Sequence, residues 1–575
     1  MTFCSDTSLK NRIWRLRDRM PSPDAPEDVH PLAAEVAAAR GVTDLATYFT
    51  PNFKATMPDP DTLAGMPEAV ARIADAVVSG ERIGIIGDYD VDGATSTAIL
   101  LRTLAWIGHD NVSWRIPHRV LDGYGASVQL VDEMSAGSPL SVLVLLDNGT
   151  ASVEPVAHAR AKGIDVVIID HHEPQGELPD AILVNPKRED GDRPLEHLCS
   201  AGLVFLFAAG LVRAMRARDR FAERPEPDLR TLLGLVALGT VADVVPLVGL
   251  NRAYVHLGLP RMAAILGLQA LREVTGEQQY SAYACGFVFG PCINAAGRLE
   301  DMDIGVELLV TEDAGRAAEL AARLHAINQE RRKIQVAAVE SAKERLIADP
   351  RLGPGIVLHD ESWHPGIVGL VAGKVREAFD RPTIIIGSGG KGSARTVDGF
   401  DIGSVVIEAV RLGIATRGGG HQAAAGLTIE ADKVAELRGL LEARMAGFEH
   451  PPTPVDLVVE CGTLHPELVH GLSRMAPFGQ GNPKPRIALT GGTVARTMIL
   501  KGLHVKAFLE GPSGRTEVLC FNSVDTPMGE ALVASEGRRV DILGTVETSA
   551  WLGVETAIVK PEDIMVGGAS AVMAA

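Results

Sequence analysis

The sequence predicts a multidomain α/β protein: a parallel-sheet lobe, a long connecting helix, a smaller α/β lobe and a C-terminal β-barrel. Three observations carry this. Residues 68–186 alternate apolar strand-like runs with helix-like segments, residues 311–347 contain almost no helix breakers, and after 454 the chain turns to short alternating segments separated by turns. At 575 residues the chain exceeds what one hydrophobic core can organise, so several domains are required.

Residues 1–60 are rich in Pro and Asp and read as an N-terminal extension, with one short helix signal at HPLAAEVAAARG. Over 61–310 the runs RIGIIGDYD, VSWRIP, SVLVLLDNG, DVVIIDHHEP and AILVNP are the expected strands of a parallel sheet with helices on both faces, followed by a mainly helical stretch. Residues 311–349 form the connecting helix, a spacer between lobes. Strand and helix alternation resumes in 350–448, from GIVLHDESWHPGIVGLVAGKVREAF through PTIIIGSGG to RGGGHQAAAGLTI. After the linker EHPPTPVD, residues 454–567 hold DLVVECGTL, RIALTGGTVARTMIL, HVKAFLE, TEVLCF and RVDILGTVE; short strands at this spacing make an OB-fold the leading candidate.

Hydrophobic residues make up 46% of the chain and charged residues 22%, an ordinary globular balance. The net charge of −18 argues against coating nucleic acid through bulk positive charge, yet leaves room for a local basic groove, because carboxylates that hold divalent ions count as negative until the ion binds. Six scattered cysteines show no C-x-x-C pair, which suggests neither a zinc site nor a disulfide framework and fits a reducing compartment. The N-terminus has no apolar signal region and the longest apolar run, AGLVFLFAAGLV over 201–212, is short for a bilayer. A cytoplasmic protein without a membrane partner is expected.

The segment GDYDVDG, residues 87–93, matches the opening of a calcium-binding EF-hand loop and equally a carboxylate cluster at a strand end. With Asp88 at loop position 1, the required Glu at position 12 is Ile99, and an apolar strand precedes the motif where a helix should. Calcium is excluded. The aspartates then sit at the C-terminal end of a buried strand, where open α/β sheets bind ligands.

Four segments place Asp or His directly after an apolar stretch: Asp88, Asp90 and Asp92; Asp147 in LLDNG; Asp170, His171 and His172 in IIDHHE; Asp243 in LGTVADVVP. One strand-end Asp is ordinarily a helix cap or turn former. Three strands and a following helix ending alike indicate a shared site, and carboxylates crowded there tolerate one another chiefly when cations lie among them. Carboxylates with one imidazole suit Mn²⁺ or Mg²⁺ better than zinc. Two such ions about 3.5–4 Å apart can activate a water and stabilise the leaving oxygen of a phosphoryl displacement, so hydrolysis of a phosphate ester or anhydride is the natural hypothesis.

These four motifs, in this order, resemble those of the DHH phosphoesterase superfamily. INAAGR (293–298), SARTVDGFD (393–401), RGGGHQAAAG (417–426) and APFGQGNPKP (476–485) are in turn similar to signatures of the RecJ family of single-strand-specific DNA exonucleases. The resemblance implies a DHH catalytic domain, a DHHA1-type second lobe and an OB-fold barrel. It implies that Asp88, Asp90 and Asp147 serve one metal and Asp92, Asp147, His171 and Asp243 the other, with Asp147 bridging; for Asp88 the alternative of only orienting Asp90 and Asp92 stays open. His172 would face the phosphate, with Asp170 orienting its neighbours.

Asn294 and Arg298 would bind the phosphate. On the second lobe Ser393, Arg395 and His421, with Gly419 and Gly420 allowing close backbone approach, would grip a terminal phosphate or sugar. Arg115, His118, Arg119 and Tyr124 are candidates for lining the strand's access to the site. On the barrel, Arg474, Lys484, Arg486, Arg496, Lys501, His504 and Lys506 with Phe478 and Phe508 are candidates for a single-strand platform, and a solvated basic face with core phenylalanines explains them equally well.

The implied activity is two-metal 5′-to-3′ hydrolysis of single-stranded DNA to nucleoside 5′-monophosphates in DNA repair and recombination. Its partners would be the DNA strand, a helicase and a single-strand-binding protein. Two other readings are a phosphodiesterase for cyclic dinucleotides or very short oligonucleotides, and a non-catalytic DHH replication scaffold.

Overall fold

A computed structural model of the chain describes residues 2–3, 8–20, 25–118, 125–174, 176–190, 195–299, 302–349, 352–551 and 553–567. They fall into two units: Thr56–Phe448 with Gly479–Gly481, and Met1–Ala55 with Glu449–Phe478 and Asn482–Ala575.

The first unit opens on five parallel strands, β1 (Ile83–Ile86), β2 (Val112–Arg115), β3 (Val142–Leu146), β4 (Asp165–Ile169) and β5 (Ile182–Val184), in the order β2-β1-β3-β4-β5. Every residue of β1 and β3 is buried, as coverage on both faces demands, which is why both read as unbroken apolar runs. The chain leaves β1 toward opposite sides of the sheet, so the carboxyl ends of β1 and β3 flank a topological switch point, the place where such sheets hold ligands.

Helix α1 (Val91–Trp106) starts directly after β1, capped by Asp90, whose carboxylate accepts from the N–H groups of Asp92 and Gly93. Helices α2 (Ser200–Ala217) and α3 (Leu233–Ala242) are apolar around most of their circumference and lie in the core. With the residues that extend it beyond 201–212, α2 is long and apolar enough to cross a membrane, but 72% of it is buried inside the lobe, the condition of a core helix.

Helix α4 (Gly290–Leu299) precedes the 35-residue α5 (Ala314–Ala348), which Asp313 caps at the Arg316 N–H. Its first half buries Ala317, Leu320, Ala321 and Leu324, and packs on the helices of the catalytic lobe. Its second half contributes Ala338, Val339, Ala342 and Leu346 to the core of the second lobe. That lobe is a mixed sheet of β6 (Ile356–His359), β7 (Thr383–Ile386), β8 (Lys391–Arg395), β9 (Arg417–His421) and β10 (Ala424–Thr428) in the order β9-β10-β8-β7-β6, with α6 (Val368–Phe379) against it.

The second unit holds the barrel: β11 (Leu457–Glu460), β12 (Ile487–Leu500), β13 (His504–Gly511), β14 (Gly514–Cys520), β15 (Arg539–Trp551) and β16 (Val554–Val566). Pairing of β12 with β15 closes the ring β12-β13-β14-β16-β15, the five-stranded closure expected of an OB-fold. Residues 1–55 belong to the same unit. Helix Pro31–Ala39 packs into the barrel's core cluster, and strand Trp14–Leu16 pairs in parallel with Thr453–Val455. Buried Asp456 ties the two together: Arg40 grips it through Nε (2.9 Å) and Nη2 (2.7 Å), and it also accepts from Arg17 Nε (3.1 Å) and the Arg486 N–H (2.9 Å).

Replacing Asp456 by Ala strands the Arg40 guanidinium, whose side chain is 9% exposed, and should cost about 3–5 kcal/mol. Urea unfolding of the barrel, with limited proteolysis of residues 1–55, is the measurement; unchanged resistance of that segment would show the ion pair is not what holds it.

Candidate metal centre

The switch point gathers the strand-end residues. Asp88 and Asp90 follow β1, Asp92 lies in the first turn of α1, Asp147 follows β3, His171 and His172 follow β4, and Asp243 ends α3. His171 Nε2 lies 3.4 Å from Asp147 Oδ1, 3.5 Å from Asp243 Oδ2 and 3.9 Å from Asp92 Oδ2. These spacings are long for hydrogen bonds and suit donors ranged around an ion. Ligand atoms lie within 4.8 Å of one another in three groups: Asp88, Asp90 and Asp147; Asp92, His171 and Asp243; Asp147, His171 and His172. Asp147 thus stands between the two sets.

The local backbone is bent to make this cluster. Asp147 has φ 62°, a left-handed conformation that costs a non-glycine residue about 1–3 kcal/mol. Asn148 Nδ2 steadies the turn by donating to the carbonyls of Ile86 (3.2 Å) and Leu146 (2.9 Å), at the ends of β1 and β3. Val244, immediately after Asp243, has φ 61°, a real departure for a β-branched side chain. Gly239 lets α3 close in, since a Cβ there would lie 2.9 Å from Asp92 Oδ1.

The N-terminus of α2 supplies partners that sequence patterns did not single out. The N–H groups of Ser200 and Ala201 donate to Asp92 Oδ2 (2.7 Å) and Oδ1 (2.9 Å), and Ser200 Oγ donates to Asp147 Oδ1 (2.9 Å). A Ser opening a long apolar helix was the available signal, and it reads as an ordinary helix start.

Burial, then the charge of neighbouring aspartates, raises the carboxyls of Asp88, Asp147 and Asp243 well above their ordinary range and that of Asp92 to about 6. Asp88 Oδ1 and Asp243 Oδ2 are buried with no hydrogen-bond partner. Carboxylate oxygens of that kind are costly unless a cation meets them, so the donor set fits divalent metal ions.

The adjacent histidines differ. Burial, reinforced by the charge of His172, pushes His171 down to about 3, leaving a neutral ring able to offer Nε2. Burial also opposes charge on His172, but the hydrogen bond from its Nδ1 to Asp170 Oδ1 (2.7 Å) and nearby carboxylates prevail and raise it. Burial would raise Asp170, yet hydrogen bonds from His172 and Thr150 and both imidazoles hold it well below the ordinary carboxylate range. Its Oδ1 accepts from the His171 N–H (2.7 Å) and the His172 N–H (3.2 Å) as well, and its Oδ2 from the Thr150 N–H (3.0 Å). Both oxygens of Asp170 are thus engaged by protein donors, Oδ1 by three and Oδ2 by one, the geometry of an orienting group.

A cleft of about 690 Å³ adjoins Asp243 and runs between the catalytic lobe and the second lobe, lined by Val244, Asn294, Arg298, Arg331, Arg332 and Arg395 among others. Gly297 lets α4 press on the aspartate loop, since a Cβ there would lie 2.5 Å from the Tyr89 carbonyl oxygen. Arg298 Nη1 donates to the Gly366 carbonyl (2.7 Å), linking the lobes. Ser393 stands opposite Gly426 and Gly426 opposite Gly419; Arg395 stands opposite Ala424 and Ala424 opposite His421. Cross-strand partners share a face, so Ser393, Arg395, Gly419 and His421 lie on one face of the sheet and Gly420 on the other. Gly419 and His421 are exposed and not among the residues lining the cleft.

Of the access candidates, Arg119 and Tyr124 lie outside the described residues, and Arg115 stands 3.5 Å from Asp303. Phe478 packs against the barrel core, and Arg474, Lys484, Arg486 and Lys506 are engaged by Asp28, Glu547, Glu562 and Glu517. Phe508 stays half-buried between Lys506 and Arg515, whose charges stand 5.0 Å and 4.0 Å from its ring centre.

Three family descriptions match the chain in order: DHH family, N-terminal domain, over residues 82–240; DHHA1 domain over 352–447; and RecJ OB domain over 455–563. The single-stranded-DNA-specific exonuclease RecJ of Salmonella typhimurium is 35% identical over 499 residues, covering 83% of this chain and 86% of the relative. The Bacillus subtilis protein of the same name is 34% identical over 546 residues, covering 91% and 67%. Among solved structures, RecJ in complex with Mn²⁺ from Thermus thermophilus superposes with a TM-score of 0.80 at 30% identity, covering 96% of this chain and 79% of that one. The form of that protein with Mg²⁺ gives 0.74 at 28% identity, covering 97% and 79%. With both lobes and the barrel matched in order by one set of relatives, the chain belongs to the RecJ family.

Proposed function

We propose that this chain is a divalent-metal-dependent exonuclease that shortens single-stranded DNA from its 5′ end, releases nucleoside 5′-monophosphates and serves DNA repair and recombination in the cytoplasm. The observation that carries the chemistry is the convergence of Asp88, Asp90, Asp92, Asp147, His171 and Asp243 with orphaned buried carboxylate oxygens among them. Mn²⁺ or Mg²⁺ held there would supply Lewis acidity for hydrolysis at neutral pH and a positive field for the phosphate. Substrate class and polarity come from the family: the relatives bear the name of single-stranded-DNA-specific exonucleases, and the 5′ start is what the likeness implies. Five described cysteines are buried free thiols, which supports a reducing compartment. A helicase and a single-strand-binding protein would present the strand.

In this reading Asp88, Asp90 and Asp147 hold one ion and Asp92, Asp147, His171 and Asp243 the other. Release of a 5′-monophosphate breaks the P–O3′ bond, leaves the scissile phosphate on the next nucleotide and requires a proton on O3′. His172, kept protonated by Asp170, can give that proton or balance charge on the phosphate. Asn294, Arg298, Arg395, Ser393 and the glycine strand bearing His421 hold the phosphate backbone.

Single strands labelled at either end and incubated with Mn²⁺ should lose the 5′ label first; earlier loss of the 3′ label overturns the polarity. Replacing Ser200 by Ala removes one donor to Asp147 and should weaken Mn²⁺ binding or turnover about 10–100-fold, read by calorimetry and initial rates. The metal-free fold holds protons on the raised carboxyls, so their contribution to stability is present below about pH 4 and is lost as pH rises through the folded value, about 6 for Asp92. Metal must displace those protons. The rise in melting temperature caused by Mn²⁺ should therefore be small near about pH 5 and grow toward about pH 8; a shift independent of pH would contradict this account.

A further inference from the structure

Between Thr275 and α4 the chain makes a short helix, Ala282–Ala284, that widens into a π-helical turn over Cys285–Phe289. Such turns recur at functional sites, because the extra residue re-aims side chains out of the regular helical register. Here Tyr283 and Phe287 end up 65% and 64% exposed, the two most exposed aromatic rings among the described residues of the whole chain. The rings stack on each other at 5.0 Å with only 24° between their planes, presenting a flat apolar surface that the fold does not cover. Phe287 lines the cleft, which also reaches Ala242 and Val244, the chain neighbours of Asp243 on either side, so the depression that holds the ring ends next to a residue of the metal centre.

The cleft also carries an excess of positive charge: Arg298, Arg331, Arg332, Lys374 and Arg395 line it together with one acid, Glu377, which pairs with Lys374 (2.8 Å). Arg331 is 6% exposed, yet its guanidinium is held only by neutral acceptors, Asn328 Oδ1 (3.0 and 2.9 Å) and Gln335 Oε1 (2.7 Å). Arg332 beside it is exposed, and neither arginine is ion-paired to a carboxylate among the described residues. Opposite them α6 offers Gly369 and Gly373, and a Cβ at Gly373 would meet nothing within 4 Å, which leaves room for an occupant. Exposed stacked rings beside unneutralised guanidinium groups form the surface that a single polynucleotide strand fits: π-faces for bases and cations for phosphates.

We propose that Phe287, backed by Tyr283, is a base-stacking step that positions the single strand in the cleft beside the metal centre, with Arg331 and Arg332 taking the adjoining phosphates. This rests on the exonuclease reading and deepens it. Phe287 acts as a positioning residue: it sets where the strand stops relative to the metals and carries no proton.

Binding and turnover of an oligothymidine of about 20 nucleotides by the full chain test the proposal. Phe287→Ala should raise Kd and KM about 5- to 150-fold, the range that one base–aromatic stack of ~1–3 kcal/mol supplies, while kcat at saturation changes little. Phe287→Leu should lose most of the effect and Phe287→Trp should restore binding. With abasic sites introduced one position at a time, the wild type should show one position at which losing the base weakens binding, and that penalty should vanish in Phe287→Ala. Unchanged Kd and KM in Phe287→Ala, or an abasic penalty that persists, overturns the stacking step. A wild type that binds the strand without cutting it removes the exonuclease reading and leaves the stacking test intact. A wild type that does not bind it at all removes both, and loss of self-association or of protein capture in Phe287→Ala without a change in DNA affinity assigns the rings to a protein partner instead.

Discussion

Three buried carboxyls, the half-buried Asp243 and a neutral imidazole meet at the carboxyl end of one sheet, and the cost of keeping them together organises the lobe around them. Each aspartate is raised by burial first and by its neighbours second, so the cluster is a region of stored electrostatic work in the metal-free chain. The surrounding scaffold offsets part of it with fixed dipoles. The α2 N-terminus aims two N–H groups at Asp92, Asp90 accepts from the start of α1, and Ser200 reaches Asp147. The residual demand for positive charge is the site's capacity for divalent ions.

The same edge separates two histidines that are neighbours in sequence. Asp170 takes up the N–H groups of both residues and the His172 ring on a single oxygen, Oδ1, which is thereby committed to the protein and not to an ion. One imidazole thereby remains a neutral donor facing the carboxylates, while the other, partly exposed, is shifted toward its protonated form. A buried carboxylate between them is the simplest device for giving adjacent identical side chains opposite protonation states.

The strands and the acidic residues were legible because both depend on local pattern. Fully buried parallel strands must be apolar at every position, and a carboxylate after such a run has few structural excuses. What was not legible depends on contacts distant in sequence. Arg40 and Asp456 are 416 residues apart, and nothing in the Pro- and Asp-rich N-terminal segment marks it as part of the barrel's unit. Phe478 looked like a stacking ring among basic residues, but aromatic content cannot distinguish a platform from a core. Phe287 went unremarked for the converse reason: in CGFVFGP it reads as core, and only the π-helical turn brings it to the surface.

Helix α5 is claimed by two hydrophobic cores, one through Leu320 and Leu324 and the other through Ala342 and Leu346. It therefore fixes phase as well as distance. Each residue added or removed between those anchors would shift the second lobe by about 1.5 Å and turn it by roughly 100°, carrying Arg395 away from the catalytic edge. Loops elsewhere can absorb single-residue insertions. This helix can change length only in near-whole turns, so its length is under the same constraint as the metal ligands, although no residue between its anchors need touch an ion.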